Sequence, residues 1–218
     1  MSTRLCAALL CLAFLQPVSG QSLDAMLVLE ASLGTEHINS LIRSKVFDDG
    51  DRAGVIAFNR GADVLQSLTT DRDKIDEALR RAASRISGAV GEGNGVPYNV
   101  NMTVDLSSAL QQACAEFDAD APAGRKHVIV VWFGSDDLNL SRRLDSLKAA
   151  VRMANARLYA IAVQRANTQP SPLGPRPVQV SYPFPTLTAH LMSEFVEEFG
   201  GHIYKRNWNL KEILKDAR

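Results

Sequence analysis

Apolar residues along this chain fall into two arrangements: short continuous runs, and stretches in which they recur every three or four positions. The runs lie at 24–29 ("DAMLVL"), 53–58 ("AGVIAF"), 127–133 ("HVIVVWF") and 157–163 ("RLYAIAV"). Each is too short for an ordinary buried helix, so each predicts a strand, the third one covered on both faces. A more polar run at 63–68 ("DVLQSL"), after the turn at Asn59-Arg60-Gly61, predicts an exposed strand. Helical spacing appears at 36–47 through Ile38, Leu41, Ile42 and Val46. Asp71 is placed to cap a second helix with Ile75, Leu79, Ala82 and Ile86 inward. Further helices are predicted at 106–117 (Leu106, Leu110, Ala113, Phe117 inward) and 141–155 (Leu144, Leu147, Val151, Ala154 inward). Another is predicted at 187–199, with Leu187, Leu191, Phe195 and Phe199 inward and Gly200-Gly201 as its stop. A short strand at 202–204 and a helix at 210–217 close the chain.

Strands alternating with helices require an α/β fold. The expected form is a Rossmann-like, doubly wound, mostly parallel sheet with one antiparallel edge strand at 63–68 and helices on both faces. Two segments stand apart. Residues 87–102 carry four glycines and Pro97, which predicts a mobile loop. Between about 166 and 186, "QPSPLGPRPVQVSYPFP" is too proline-dense for a central strand or helix and predicts an extended excursion on the surface.

The 218 residues suit one domain with a sizeable core. Its 24 basic and 24 acidic side chains cancel, which argues against nucleic acid or an anionic membrane as a partner. The opening stretch, "MSTRLCAALLCLAFLQPVSG", joins one positive charge, an apolar run and a small-residue end, the pattern of a signal peptide cleaved after Gly20. Residues 21–218 would then form a single domain, secreted or periplasmic, with no membrane insertion after cleavage. Cleavage also removes Cys6 and Cys11 and leaves Cys114 alone, so the core rather than a disulfide holds the domain.

In an open parallel sheet, ligands bind beyond the carboxyl ends of the strands, where the strand order reverses. Two such ends are "LVLEASLGT" (27–35) and "FGSDD" (133–137). The succession "DAMLVLEAS", "DRAGVIAF", "DLSSAL" and "RKHVIVVWFGSDD", with the closing "FGG" before a short strand and helix, resembles the von Willebrand factor type A domain of secreted bacterial proteins. The resemblance covers about residues 22–218. It implies a protein-binding module rather than an enzyme, and in its complete form a divalent ion held by Asp-x-Ser-x-Ser, a threonine and a second aspartate. Mg²⁺ takes near-octahedral oxygen ligands, and a partner's carboxylate can complete the shell.

Carried over, that ligand set is depleted here. Glu30 stands at the aspartate position, with its carboxylate displaced outward by about one carbon–carbon bond. Ser32 is retained and Gly34 replaces the second serine. The threonine position falls on Val104, with Thr103 one residue early, and the aspartate position falls on Gly134, followed by Ser135. The expectation is therefore a partner-binding rim made of Glu30, Ser32, Thr35, Thr103, Asp105, Ser135, Asp136 and Asp137, with no cofactor. The alternative is a rearranged site for Mg²⁺ or another divalent cation using Glu30, Ser32, Thr103 and Asp136. A hydrolase on the same scaffold would need a G-x-S-x-G nucleophile turn, which the chain lacks.

Overall fold

The structure, a computed structural model, describes residues 22–31, 38–39, 46–89, 104–118, 125–132, 137–163, 168–169, 178–179, 187–205 and 210–217. The apolar runs form the strands: β1 (Asp24–Glu30), β2 (Arg52–Phe58), β4 (Lys126–Trp132) and β5 (Arg157–Ala162). The exposed run becomes β3 (Ala62–Thr69), and β8 (Ile203–Lys205) closes the sheet. Strand order is β3-β2-β1-β4-β5-β8, and only β3 runs antiparallel. The expected doubly wound sheet with an antiparallel edge is thus present, and its order reverses between β1 and β4.

Two cores follow from strand alternation. Ala25, Leu27 and Leu29 of β1 face α1 (Arg72–Ala89) and α5 (Leu210–Ala217), where Ile75, Leu79, Ile213 and Leu214 pack. Met26 and Val28 face the other side, toward α2 (Leu106–Ala115), α3 (Leu140–Ala154) and α4 (Leu187–Glu198). β1 and β4 are buried along their whole length, which is why their sequences show no polar alternation. Cys114 lies in the second core, and burial pushes its thiol up to about 12. Because the thiolate is the reacting species, Cys114 should resist thiol reagents at pH 8 and react only on unfolding. Fast labelling of the native protein would contradict that placement.

Three details depart from expectation, and the Pro-rich segment adds one that does not. Helix α1 continues to Ala89, so residues 87–89 extend a helix instead of opening a loop; residues 90–103 lie outside the described residues. The Pro-rich segment contains a two-stranded antiparallel ladder, β6 (Thr168–Gln169) with β7 (Val178–Gln179), separate from the main sheet. In α4 the inward stripe is Thr188, Met192, Phe195 and Val196, and Leu187 points outward, because the buried face is one residue out of phase with the leucines. Glu30 is the last residue of β1 and is buried, not a loop residue.

At the amino ends of the strands, two carboxylates fix the start of β1. Asp24 receives Arg52 Nε at 2.9 Å and Nη2 at 2.8 Å, a bidentate pair. Asp51 accepts from the backbone N–H of Leu23 and of Asp48, both at 2.8 Å. The hydrogen bond to Asp24, opposed by burial, holds the Arg52 guanidinium above its ordinary range.

The β3 edge is closed by its own neighbourhood. A Cβ on Gly54 would lie 2.9 Å from the Gln66 carbonyl oxygen, which places that carbonyl on the β2 side. The pairing with β2 shifts register on both sides of Gln66, and the carbonyls of its neighbours Leu65 and Ser67 are taken by side chains. The Arg81 guanidinium donates to the first, and the Gln66 side-chain amide donates to the second at 3.0 Å.

The lone double glycine marks the passage from α4 into β8. Gly200 has φ +67°, the left-handed value that ends helices, and Gly201 N–H donates to Val196 O at 3.1 Å. There the chain runs against the β5 backbone, and a Cβ on Gly201 would overlap the Leu158 carbonyl oxygen.

Candidate functional site

The parallel register pairs Leu29 of β1 with Val131 of β4, so Glu30 and Trp132 are the next neighbours at the carboxyl edge. Both are buried, Glu30 with 2% of its surface exposed. The Trp132 indole N–H has no hydrogen-bond acceptor among the described residues. This is the switch point of the sheet, and the starts of α2, α3 and α4 gather around it.

Asp137 ties those three helix starts together. One carboxylate oxygen accepts from Ser107 N–H in the first turn of α2 at 2.7 Å. The other accepts from Asn139 N–H, just before α3, at 2.8 Å. Its own backbone N–H donates to Thr188 Oγ1 at the start of α4, at 2.9 Å. Orphan amides at helix starts need acceptors, and a carboxylate there also meets the positive end of the helix dipole. Asp137 is 5% exposed, which makes it an internal brace.

Asp105 caps α2, accepting from Ser108 N–H at 3.1 Å, and its backbone N–H donates to Asn59 O at 2.6 Å. Arg143, one turn into α3, reaches back to the same helix start. Its Nη1 donates to Ser108 Oγ at 2.7 Å and lies 3.5 Å from Asp105 Oδ1. Beside this network Leu138 and Leu187 are 69% and 66% exposed. Each is next in sequence to one end of the Asp137–Thr188 hydrogen bond.

Of the eight residues expected at the rim, Glu30, Asp105 and Asp137 are described: Glu30 ends β1 and is buried, and Asp105 meets the buried Asp137 at the start of α2 through Ser107. Ser32, Thr35, Thr103, Ser135 and Asp136 lie outside the described residues. Sequence reasoning missed Ser107, Ser108, Arg143 and Thr188, as well as the exposed leucines. Only the Asp-x-x-Ser spacing of 105–108, a capping pattern, could have pointed to any of them.

The described donors do not fit an octahedral ion. Val104, at the threonine position, is aliphatic and buried in the core. The Asp137 carboxylate is taken by two amides, and Asp105 by a cap and an ion pair. Among the described residues no three His, Cys, Asp or Glu side chains form a metal-binding group. Nor is any described helix long and apolar enough to cross a membrane.

No curated protein matches the chain. Solved structures do. BatB from Bacteroides thetaiotaomicron superposes with a TM-score of 0.58 at 14% identity, over 90% of this chain and 96% of that one. An aerotolerance-related membrane protein from Bacteroides fragilis gives 0.55 at 16%, over 90% and 96%. A von Willebrand factor type A protein from Catenulispora acidiphila gives 0.55 at 14%, over 90% and 41%. At these identities the likeness is one of fold. The family model described as von Willebrand factor type A domain matches residues 30–137, the stretch that runs from the last residue of β1 through β2, β3 and β4 and carries the Asp105–Asp137 network. By that match and this fold, residues 30–137 belong to a von Willebrand factor type A domain.

Proposed function

We propose that the chain is an exported, non-catalytic module that binds another protein through its upper rim without a divalent ion. The observation that carries this reading is the exposure of Leu138 and Leu187: two large apolar side chains, each about two-thirds exposed and each next in sequence to one end of the Asp137–Thr188 hydrogen bond. Most surface leucines need no explanation, but large apolar side chains beside a network of polar groups suit a protein contact. The depleted ligand set supports independence from metal, since the carboxylates on this edge are committed to helix amides and to Arg143. The leader at 1–20 supports export. The secreted protein should therefore begin at Gln21, which the intact mass reads directly.

A photo-crosslinking side chain at position 138 or 187, introduced in the cells that produce the protein, tests the rim. Position 153 is the control: Met153 is exposed but lies roughly 20 Å along α3 from Leu140. One discrete partner band from 138 and 187, absent from 153 and equally strong in chelator, is the expected result. Its loss on Leu138→Asp is expected as well. Crosslinks that vanish in chelator would return the ion-dependent alternative, and none from either leucine would remove the rim from consideration.

A further inference from the structure

At the end of the sheet opposite the rim, three successive strands line up charged side chains. In register, Arg52 of β2, Asp24 of β1 and Lys126 of β4 are neighbours. Alternation puts all three on the face that carries Met26, Ile56 and Val128. Asp24 is fully buried, and its carboxylate is taken by the bidentate Arg52. Arg125 Nε comes within 3.4 Å of the same carboxylate without a hydrogen bond. Lys126 is 1% exposed, and no described residue accepts from its ammonium or pairs with it. Among the described residues, the other carboxylate paired to this group is Asp118, 66% exposed, which accepts from Arg52 Nη1 at 2.8 Å.

Buried charge is costly unless it is paired. Here a deeply enclosed lysine lacks an acceptor, beside an arginine Nε that lacks one too. We infer that this edge binds an oxyanion of the phosphate type. Three cations against one buried carboxylate leave a surplus of two charges, which matches a phosphate dianion once the exposed Asp118 swings aside. The anion takes Arg52 Nη1 from Asp118 and uses the open donors of Arg125 and Lys126. Guanidinium donors suit phosphate oxygens in direction, and the ammonium adds a point charge. The Asp24–Arg52 pair stays intact beneath and holds the guanidinium in place. The site is separate from the rim and does not depend on how the rim is used.

Titration of inorganic phosphate into the protein in phosphate-free buffer, followed by amide and arginine Nε–H chemical shifts, tests this. Saturable shifts at Asp24, Arg125 and Lys126 are expected at millimolar phosphate, with Ser107 and Asp137 unmoved. Lys126→Met keeps the stem and should weaken binding about tenfold, the effect of one charge-assisted hydrogen bond. Asp118→Asn, at the surface, should tighten binding about threefold, because the competitor for Arg52 loses its charge. Methyl phosphate carries the dianion on an ester. Its binding alongside inorganic phosphate would assign the site to a phosphate group on a larger molecule, and its exclusion would assign it to the free ion. The absence of saturable shifts overturns the inference. So does equal affinity in wild type, Lys126→Met and Asp118→Asn, which would mark an adventitious ion only. Should Lys126→Met fail to fold, Asp118→Asn decides alone, and affinity that does not rise there overturns the inference.

Discussion

Gly201→Ala should destabilise the protein by about 3 kcal/mol or more, the upper range for forcing a group into a packed interior. The new methyl carbon would overlap the carbonyl oxygen of Leu158 and lie 2.6 Å from its carbonyl carbon. That carbonyl belongs to β5, an interior strand paired with β4 on one side and β8 on the other, so it has no room to withdraw. Relief has to come from lifting residue 201 away. Such a shift strains the Gly201 N–H to Val196 O bond and the Ala160 N–H to His202 O bond, both 3.1 Å, and with them the docking of β8. For a domain of this size the loss corresponds to a fall in melting temperature of roughly 10 °C. Gly200→Ala is the control. No atom lies within 4 Å of a Cβ there, so only the left-handed backbone is penalised, by about 1 kcal/mol. Equal destabilisation by the two substitutions would mean that close approach to β5 is not what requires the second glycine.

The second large effect is expected from Asp137→Ala, at about 2 kcal/mol, because it strands a buried donor instead of merely removing contacts. Ser107 N–H would lose its acceptor where water has little access, while Asn139 N–H, at a part-buried bond of an exposed residue, could turn to solvent. Asp137→Asn keeps one oxygen and should cost less, about half as much, since a neutral amide can satisfy one of the two. Urea unfolding of the pair separates brace from bystander. A loss below about 0.5 kcal/mol for Asp137→Ala, the ordinary range of a surface change, would show that the helix starts hold without it.

These two residues differ in how far the sequence reveals them. A double glycine after a helical stripe announces a helix stop, yet nothing nearby states that the second glycine touches Leu158, more than forty positions earlier in the chain. Asp137 reads as a loop carboxylate after a strand, suited to a ligand or to solvent. Its burial depends on Ser107, 30 residues before it, and Thr188, 51 residues after it. The sheet was legible because continuous apolar runs have one economical solution, and the reversal between β1 and β4 followed from connection rules. Asp24 shows the opposite limit. It opens the central strand fully buried, and Arg52 on the next strand together with Arg125 makes that tolerable. Leu187 failed for a subtler reason, since one residue of helical phase moves a side chain by about 100°, enough to carry it from core to surface.

The protected carbonyls of β3 have a consequence for life at high local concentration. The main sheet can be lengthened by a stranger only at its two margins, and here one margin, β8, is three residues long while the other, β3, has two of its carbonyls already taken by Arg81 and Gln66. Copies crowded together therefore meet a poor template for stacking strand upon strand on this sheet.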